Sequence, residues 1–403
     1  ADMARYNPEN DDRHFVILGG GASGSSAAER LRQIGFEGKI TLVTKEEDIP
    51  YDRTQLSKYY MEKGKTKAPV LRKRKFYEDH DIEILDNKEA EKLEVSDKKI
   101  LFTDGSSVRY DKLLLATGGI PNRLDISGSE LTNIFTLRSA RDLIKINELI
   151  TSDSKVAIIG SGFIGTEAAA SLKKRGASVT VISHSKLPFE RVLGKEIGCL
   201  LKEEHEENGV KMFMNRDVKR FEGDGQVEKV VLDGGQSIET DLVLVGIGVR
   251  PATEFLEGDL ELNSDGSVSV DESLQVREDI YASGDIARFP YWRNDEDIRI
   301  EHWRLAQQHG RIAAENMFDE ASRYFEIPVF WTNQFDINMR YIGHVGDWDD
   351  VLIDGDLSQK EFIAYYFKDD EVKASAGVGK DKEMAAIAEL LRTDKMPYKI
   401  ETG

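Results

Sequence analysis

Cysteine is almost absent from this chain: Cys199 is the only one among 403 residues. No disulfide can form within the chain, which fits a reducing compartment. Passing electrons through a redox-active cysteine pair needs two sulfurs, so that chemistry is excluded. Cys199 falls in a helical pattern over residues 195–208, away from any glycine-rich turn, and reads as a core residue. Long apolar runs are missing as well, and none approaches the roughly 18 residues of a membrane span. No signal-peptide pattern opens the sequence. The first residues, ADMARYNPENDD, are polar and lack an initiator Met. They read as the ragged end of a processed or truncated chain, which leaves an upstream segment or domain open. Positive charge is short: 55 Lys+Arg against 74 Asp+Glu give a net charge of −19. Neutralising phosphates takes clustered cations, so a general nucleic-acid surface is not expected. The one basic cluster, Arg72-Lys73-Arg74-Lys75, reads as a solvated helix start. No metal site is predicted.

What is present is patterned. A hydrophobic content of 40% and a charged content of 32% describe a globular chain, and 403 residues call for two or three cores. Residues 14–35 set the theme. A short apolar run at 15–18 ends in Gly19, Gly21 and Gly24, a G-x-G-x-x-G pattern that includes Ala22 and Ser23. Ala27, Ala28, Leu31 and Ile34 then recur at helical spacing. Glycine is needed where a strand turns sharply into a helix and a pyrophosphate approaches the backbone. A second strand at 39–44 leads to Glu46, about 20 residues past the last glycine, where a ribose-binding carboxylate belongs.

The unit then repeats. Residues 156–159 form an apolar run, and Gly160, Gly162 and Gly165 fill a second pattern that includes Phe163 and Ile164. A helix over 166–174 and a strand over 179–182 follow. Two copies call for two dinucleotides, and the pairing that makes redox sense is a flavin with a nicotinamide. Between the copies lie Pro50-Tyr51-Asp52-Arg53, a helical stretch beginning Gln55-Leu56-Ser57-Lys58, and a strand at 113–116 ending in Ala116-Thr117-Gly118. After the second copy, Gly248 marks an exit, Gly284-Asp285 closes a small-residue strand, and Trp303 opens a helix over 303–318. From residue 326 strands alternate and one last helix spans 382–391. The fold class expected is α/β, with two Rossmann-like dinucleotide-binding domains plus a C-terminal α+β domain.

Read together, these residues and stretches such as GDIARFPYWRNDEDIRIEHW and QQHGRIAAENM resemble the two-dinucleotide-domain flavoprotein reductases. Within them the chain is similar to the ferredoxin reductases of bacterial oxygenase systems. It looks closer still to the apoptosis-inducing-factor-like proteins, in the branch whose full-length members carry a Rieske [2Fe–2S] domain. The resemblance implies an FAD domain over 13–133 and 252–325, an NAD(P)H domain over 134–251 and an interface domain over 326–403. It puts FAD on Gly19–Gly24, with Glu46 on the ribose, Arg53 and Lys58 near the phosphates and ring, backbone at Ala90 on the adenine and Asp285 on the ribityl chain. Lys58 and Glu167 would pair beside flavin N5, and Trp303 and Trp331 would border the ring. NAD(P)H would take Gly160–Gly165, with Phe163 and Gly248 near the nicotinamide. The bland readings are a surface cation for Lys58, a helix-face carboxylate for Glu167 and core packing for both tryptophans.

The resemblance implies an NAD(P)H-dependent flavoprotein oxidoreductase, with a nicotinamide dinucleotide as donor and an iron–sulfur protein of ferredoxin or Rieske type as acceptor. The single cysteine goes with an intracellular setting, cytoplasmic or mitochondrial, and a homodimer stays open. Redox signalling of the apoptosis-inducing-factor kind is the rival reading, although its DNA binding rests on basic charge that a net −19 does not supply. A plain NAD(P)H oxidase or quinone reductase stays open beside it. One departure stands out. The strand at 179–182 should end in an acid for the nicotinamide cofactor's ribose, and the sequence there is Ser183-His184-Ser185-Lys186. Without that charge NADPH is expected to be accepted at least as well as NADH, with His184, Lys186 and Arg191 meeting the 2′-phosphate.

Overall fold

The protein's structure, a computed structural model, describes residues 3–294 and 296–397, and the chain divides into two compact units. The first comprises Ala1–Arg53, Ala68–Ile120 and Val249–Phe325; the second comprises Thr54–Lys67, Pro121–Gly248 and Glu326–Gly403.

The first unit is built on six strands in the order Gln275–Arg277, Ile280–Ala282, Lys112–Leu115, His14–Leu18, Lys39–Val43, Ile82–Leu85. All are parallel except the antiparallel edge strand Gln275–Arg277. Such strands are covered on both faces, which is why they read as unbroken apolar runs rather than alternating ones. Phe15, Val16, Ile17, Leu113 and Leu114 accordingly have no exposed surface. Helices Ala22–Gln33 and Trp303–Met317 pack against each other, and Gly310 makes that approach possible. A Cβ at Gly310 would sit 2.0 Å from the Ser23 carbonyl oxygen. Arg32, fully buried, closes the far end of its helix by donating to the carbonyls of Phe36, Gly38, His80 and Asp81. Burial pulls its guanidinium down to about 10.

The second unit repeats the plan with five parallel strands in the order Lys211–Met214, Ser178–Ser183, Lys155–Ile159, Leu242–Val245, Ile134–Thr136. Its C-terminal part is a five-stranded antiparallel sheet in the order Val329–Gln334, Ile337–Gly343, Glu371–Val378, Glu361–Lys368, Asp350–Asp356. Helix Asp381–Arg392 packs on that sheet.

Several expectations need correction. No helix begins at Gln55: the chain makes a 3-10 turn, Arg53–Gln55, and Lys58 precedes a single helical turn, Tyr59–Glu62. The helix expected from Thr166 starts at Phe163, directly after its glycines. Cys199 does lie on helix Lys195–Glu207, but it is half-buried on the flank, while Ile197 and Leu201 face the core. Helix Ala140–Leu149 went unread, although Ser139 and Asp142 form a full capping box at its start.

Candidate functional site

The glycines of the first motif do two different jobs. Gly19 holds φ at +122°, and a Cβ there would lie 2.0 Å from the Ala116 carbonyl oxygen; at Gly24 it would lie 1.8 Å from the Gly19 carbonyl oxygen. Those two permit close packing of strand, turn and helix. Gly21 differs, because beyond its own chain neighbours nothing lies within 4 Å of its missing Cβ. Its bareness leaves backbone open to an incoming group, at the end of a helix whose first amides have no side-chain cap.

Other expected residues gather around that opening within the first unit. Gly20 sits against Thr44 and Pro50, whose segment carries Glu46. The Glu46 carboxylate accepts from Tyr51 and from Arg53, each at 2.5 Å. Asn87 N–H donates to the Glu46 carbonyl and Lys88 N–H to the Thr44 carbonyl, which brings the strand starting at Ala90 alongside. Ala116 N–H donates to the Leu18 carbonyl, and the Thr117 hydroxyl to the Ala252 carbonyl at 2.7 Å, pinning the turn that contains Gly118. Ser23 and Ser283 share a short hydroxyl–hydroxyl bond, and Gly284 packs on Ser23, so Asp285 is delivered beside the glycine turn. His309, fully buried, accepts from Gly284 N–H at 3.4 Å through Nδ1. Trp303 is half-buried at the start of its helix.

In the second unit the motif opens into a cavity of about 460 Å³. Gly160 and Gly165 are packing glycines, and Gly162 again faces open space. Ser183 lines the cavity with its hydroxyl bonded to that of Ser161 at 2.8 Å, and His184 and Gly248 line it too. Phe163 and Ile164 do not; Phe163 stacks instead on Phe189, which does, with ring centroids 4.2 Å apart. Lys186 and Arg191 are also outside the lining, and Arg191 pairs with Asp347. Arg216 and Asp217, which sequence reasoning missed, are part of it. The signal available was topological: they follow strand Lys211–Met214, which lies next to strand Ser178–Ser183 in a parallel sheet.

Also within the second unit, Lys58 Nζ lies 3.1 Å from Glu167 Oε2, with both side chains largely buried. No well-angled hydrogen bond reaches that oxygen among the described residues, so the ion pair carries its compensation. Burial pushes the Glu167 carboxyl up from 4.5 to about 7, against the pull of Lys58. Lys58 Nζ is also 5.9 Å from the centre of the Trp331 ring, which is 37% exposed. The bland readings of Lys58 as a surface cation and of Trp331 as a core residue are thereby excluded. Among the described residues no three metal-ligating side chains cluster as a metal site, and no helix is long and apolar enough to cross a membrane.

Two open glycine turns, each at the carboxyl end of a parallel sheet, and a buried Lys–Glu pair suit dinucleotides and a redox ring. Comparison with known proteins agrees. Human Apoptosis-inducing factor 3 is 37% identical over 96% of this chain, which spans 64% of that protein's length. The 5,5′-dehydrodivanillate O-demethylase ferredoxin reductase subunit of Sphingobium sp. is 33% identical over 92% of this chain and 91% of its own. Among solved structures, the covalent putidaredoxin reductase–putidaredoxin complex superposes with a TM-score of 0.90 at 30% identity, covering 96% of this chain and 94% of that one. The Reductase C-terminal family model matches residues 329–400. The pyridine nucleotide-disulphide oxidoreductase model matches residues 13–310, through both glycine turns, and the chain belongs to that family.

Proposed function

We propose that this chain is an FAD-containing, NAD(P)H-dependent oxidoreductase that passes electrons to an external iron–sulfur protein of ferredoxin or Rieske type. The observation that carries it is the duplicated glycine turn, bare at Gly21 and at Gly162, in a chain with one cysteine. With no second thiol, the electrons have no disulfide to pass through. Relatives named as ferredoxin reductase components, and a solved reductase–putidaredoxin complex, support the choice of acceptor.

When bound, the flavin supplies hydride acceptance from nicotinamide and release of single electrons. The protein's own share is binding, orientation and proton placement. FAD is assigned to the first unit, with its pyrophosphate on Gly19–Gly24 and the amides of Ala22 and Ser23. In the same assignment Glu46 and Arg53 take the ribose and phosphate side, Ala90 backbone the adenine, and Ala116–Gly118, Asp285 and Trp303 the remainder. The nicotinamide dinucleotide is assigned to the cavity at Gly160–Gly165 and Gly248. Lys58 and Glu167 are assigned to the reacting end with Trp331, where the Glu167 carboxyl, raised to about 7 by burial, exchanges a proton near neutrality beside Lys58 Nζ. The same proposal divides the chain into an FAD domain over 13–133 and 252–325, an NAD(P)H domain over 134–251 and an interface domain over 326–403. It places the protein in a reducing intracellular setting, on the strength of its cysteine count.

The test is anaerobic mixing of the purified yellow protein with NADH and with NADPH, followed by a ferredoxin. Bleaching and then recovery of the flavin band are expected. Well-folded protein that lacks flavin and takes up none when FAD is added would refute the assignment. Light scattering of the same sample decides between monomer and homodimer.

A further inference from the structure

The strand at 179–182 ends without an acid, while the parallel strand beside it is followed by one, Asp217. We propose that Asp217 reads the adenosine ribose of the nicotinamide cofactor and makes NADH the preferred donor. This rests on the reading that the cavity takes a nicotinamide dinucleotide, and it reverses the NADPH expectation drawn from Ser183 alone.

Strands Ser178–Ser183 and Lys211–Met214 run parallel, so their following turns emerge side by side. Asn215 N–H donates to the Ser185 carbonyl and Arg216 N–H to the Ser183 carbonyl, both at 2.9 Å. These bonds lace the two turns together and place Asp217 at the cavity, where its Oδ1 lies 2.8 Å from His184 Nδ1. Ser183 is short, 5% exposed and tied to Ser161, so it offers no equivalent acceptor.

The cation at the same rim is already engaged. Arg216 donates from Nε to the Asp233 carboxylate at 2.9 Å, from Nη2 to the Asp233 carbonyl at 2.7 Å and from Nη1 to Gln236 at 3.2 Å. Arg216 and Asp233 therefore offset each other, which leaves Asp217, paired with His184, as the one carboxylate among the described residues lining the cavity. A ribose 2′-hydroxyl donates to a carboxylate, whereas a 2′-phosphate is repelled by it. The cations first assigned to the phosphate, Lys186 and Arg191, do not line the cavity.

The experiment compares kcat/KM for NADH and NADPH in the FAD-loaded wild type, Asp217→Asn and Arg216→Ala, each at low and high salt. Wild type is expected to favour NADH by roughly tenfold or more, the scale of one hydrogen bond to a charged group. Asp217→Asn should lower the ratio about tenfold through opposite KM changes with kcat retained. In wild type, added salt should narrow the preference by screening the repulsion of NADPH. A wild-type preference for NADPH, an unchanged ratio in Asp217→Asn, or a selective loss of NADPH use in Arg216→Ala would each overturn the proposal. Failure of both nicotinamides to bleach the wild-type flavin would instead overturn the dinucleotide reading beneath it.

Discussion

Replacing Glu167 by Gln tests the buried pair directly, because it removes one ionisation and keeps the side chain's shape. Glu167 is 5% exposed, and burial raises its carboxyl from an ordinary 4.5 to about 7 even with Lys58 pulling it down. Because the native carboxyl is the weaker acid, the unfolded chain loses its proton first as pH rises. Stability from this group is therefore intact below about pH 4.5 and is lost through the window up to about 7. The loss runs at about 1.4 kcal/mol per pH unit, reaches roughly 3 kcal/mol and then levels off. Groups away from the pair titrate alike in both proteins and cancel in the difference. Urea unfolding from about pH 5 to 8 should show wild type losing about 2.5 kcal/mol relative to Glu167→Gln. Lys58→Met removes the charge that restrains the carboxyl, so in that variant the fall should continue past pH 7 and flavin reduction by nicotinamide should slow. Parallel curves for wild type and Glu167→Gln would refute the burial argument.

Three further outcomes are expected. His309 is fully buried, and burial lowers its imidazole from 6.5 to about 3, so the native state resists the proton that the unfolded chain takes up. As pH falls below about 6.5, wild type should lose roughly 1.4 kcal/mol per unit relative to His309→Gln, read from urea midpoints; a flat difference would contradict the neutral-histidine core. Gly24→Ala drives a Cβ into the Gly19 carbonyl and should cost about 1–3 kcal/mol and most of the bound flavin; full flavin content at unchanged Tm would refute the packing role. Cys199→Ser, on a half-buried helix flank, should leave ferricyanide reduction by NADH unchanged, and loss of that activity with the flavin still reducible would reveal a thiol relay.

The two doubly covered sheets were legible because burial on both faces leaves little but apolar residues in a strand. The runs at 15–18 and 156–159 therefore gave strands within one residue of the observed His14–Leu18 and Lys155–Ile159. The helix starts were harder. Phe163 follows a bare glycine N-cap with no side-chain acceptor, so no capping residue marks the boundary. The stretch from Arg53 to Glu62 departs from its helical pattern for a different reason. Its residues favour a helix locally, but Lys58 is held at φ −113°, ψ −121° with its ammonium on Glu167. Tertiary pairing there overrides propensity, and the local helical pattern does not carry it, although the family resemblance implied the Lys58–Glu167 pair.

The same distinction separates the two ends of the cavity. Everything contributed by the glycine turn itself was readable, because strand, glycines, helix and the following strand are contiguous in sequence. The rim at Asp217 was not, since it depends on which strand lies beside Ser178–Ser183, and that neighbour begins 28 positions later, at Lys211. Spacing rules for ribose carboxylates count along one βαβ unit and stop at its second strand. An acid after the third strand emerges beside the turn that follows the second, since Asn215 N–H and Arg216 N–H donate to the Ser185 and Ser183 carbonyls, while leaving a gap in the motif. Apparent loss of an acid at Ser183 therefore says little about cofactor charge until the ends of the adjacent parallel strands have been compared. In this chain that comparison places Asp217 at the rim and leaves Arg216 committed to Asp233.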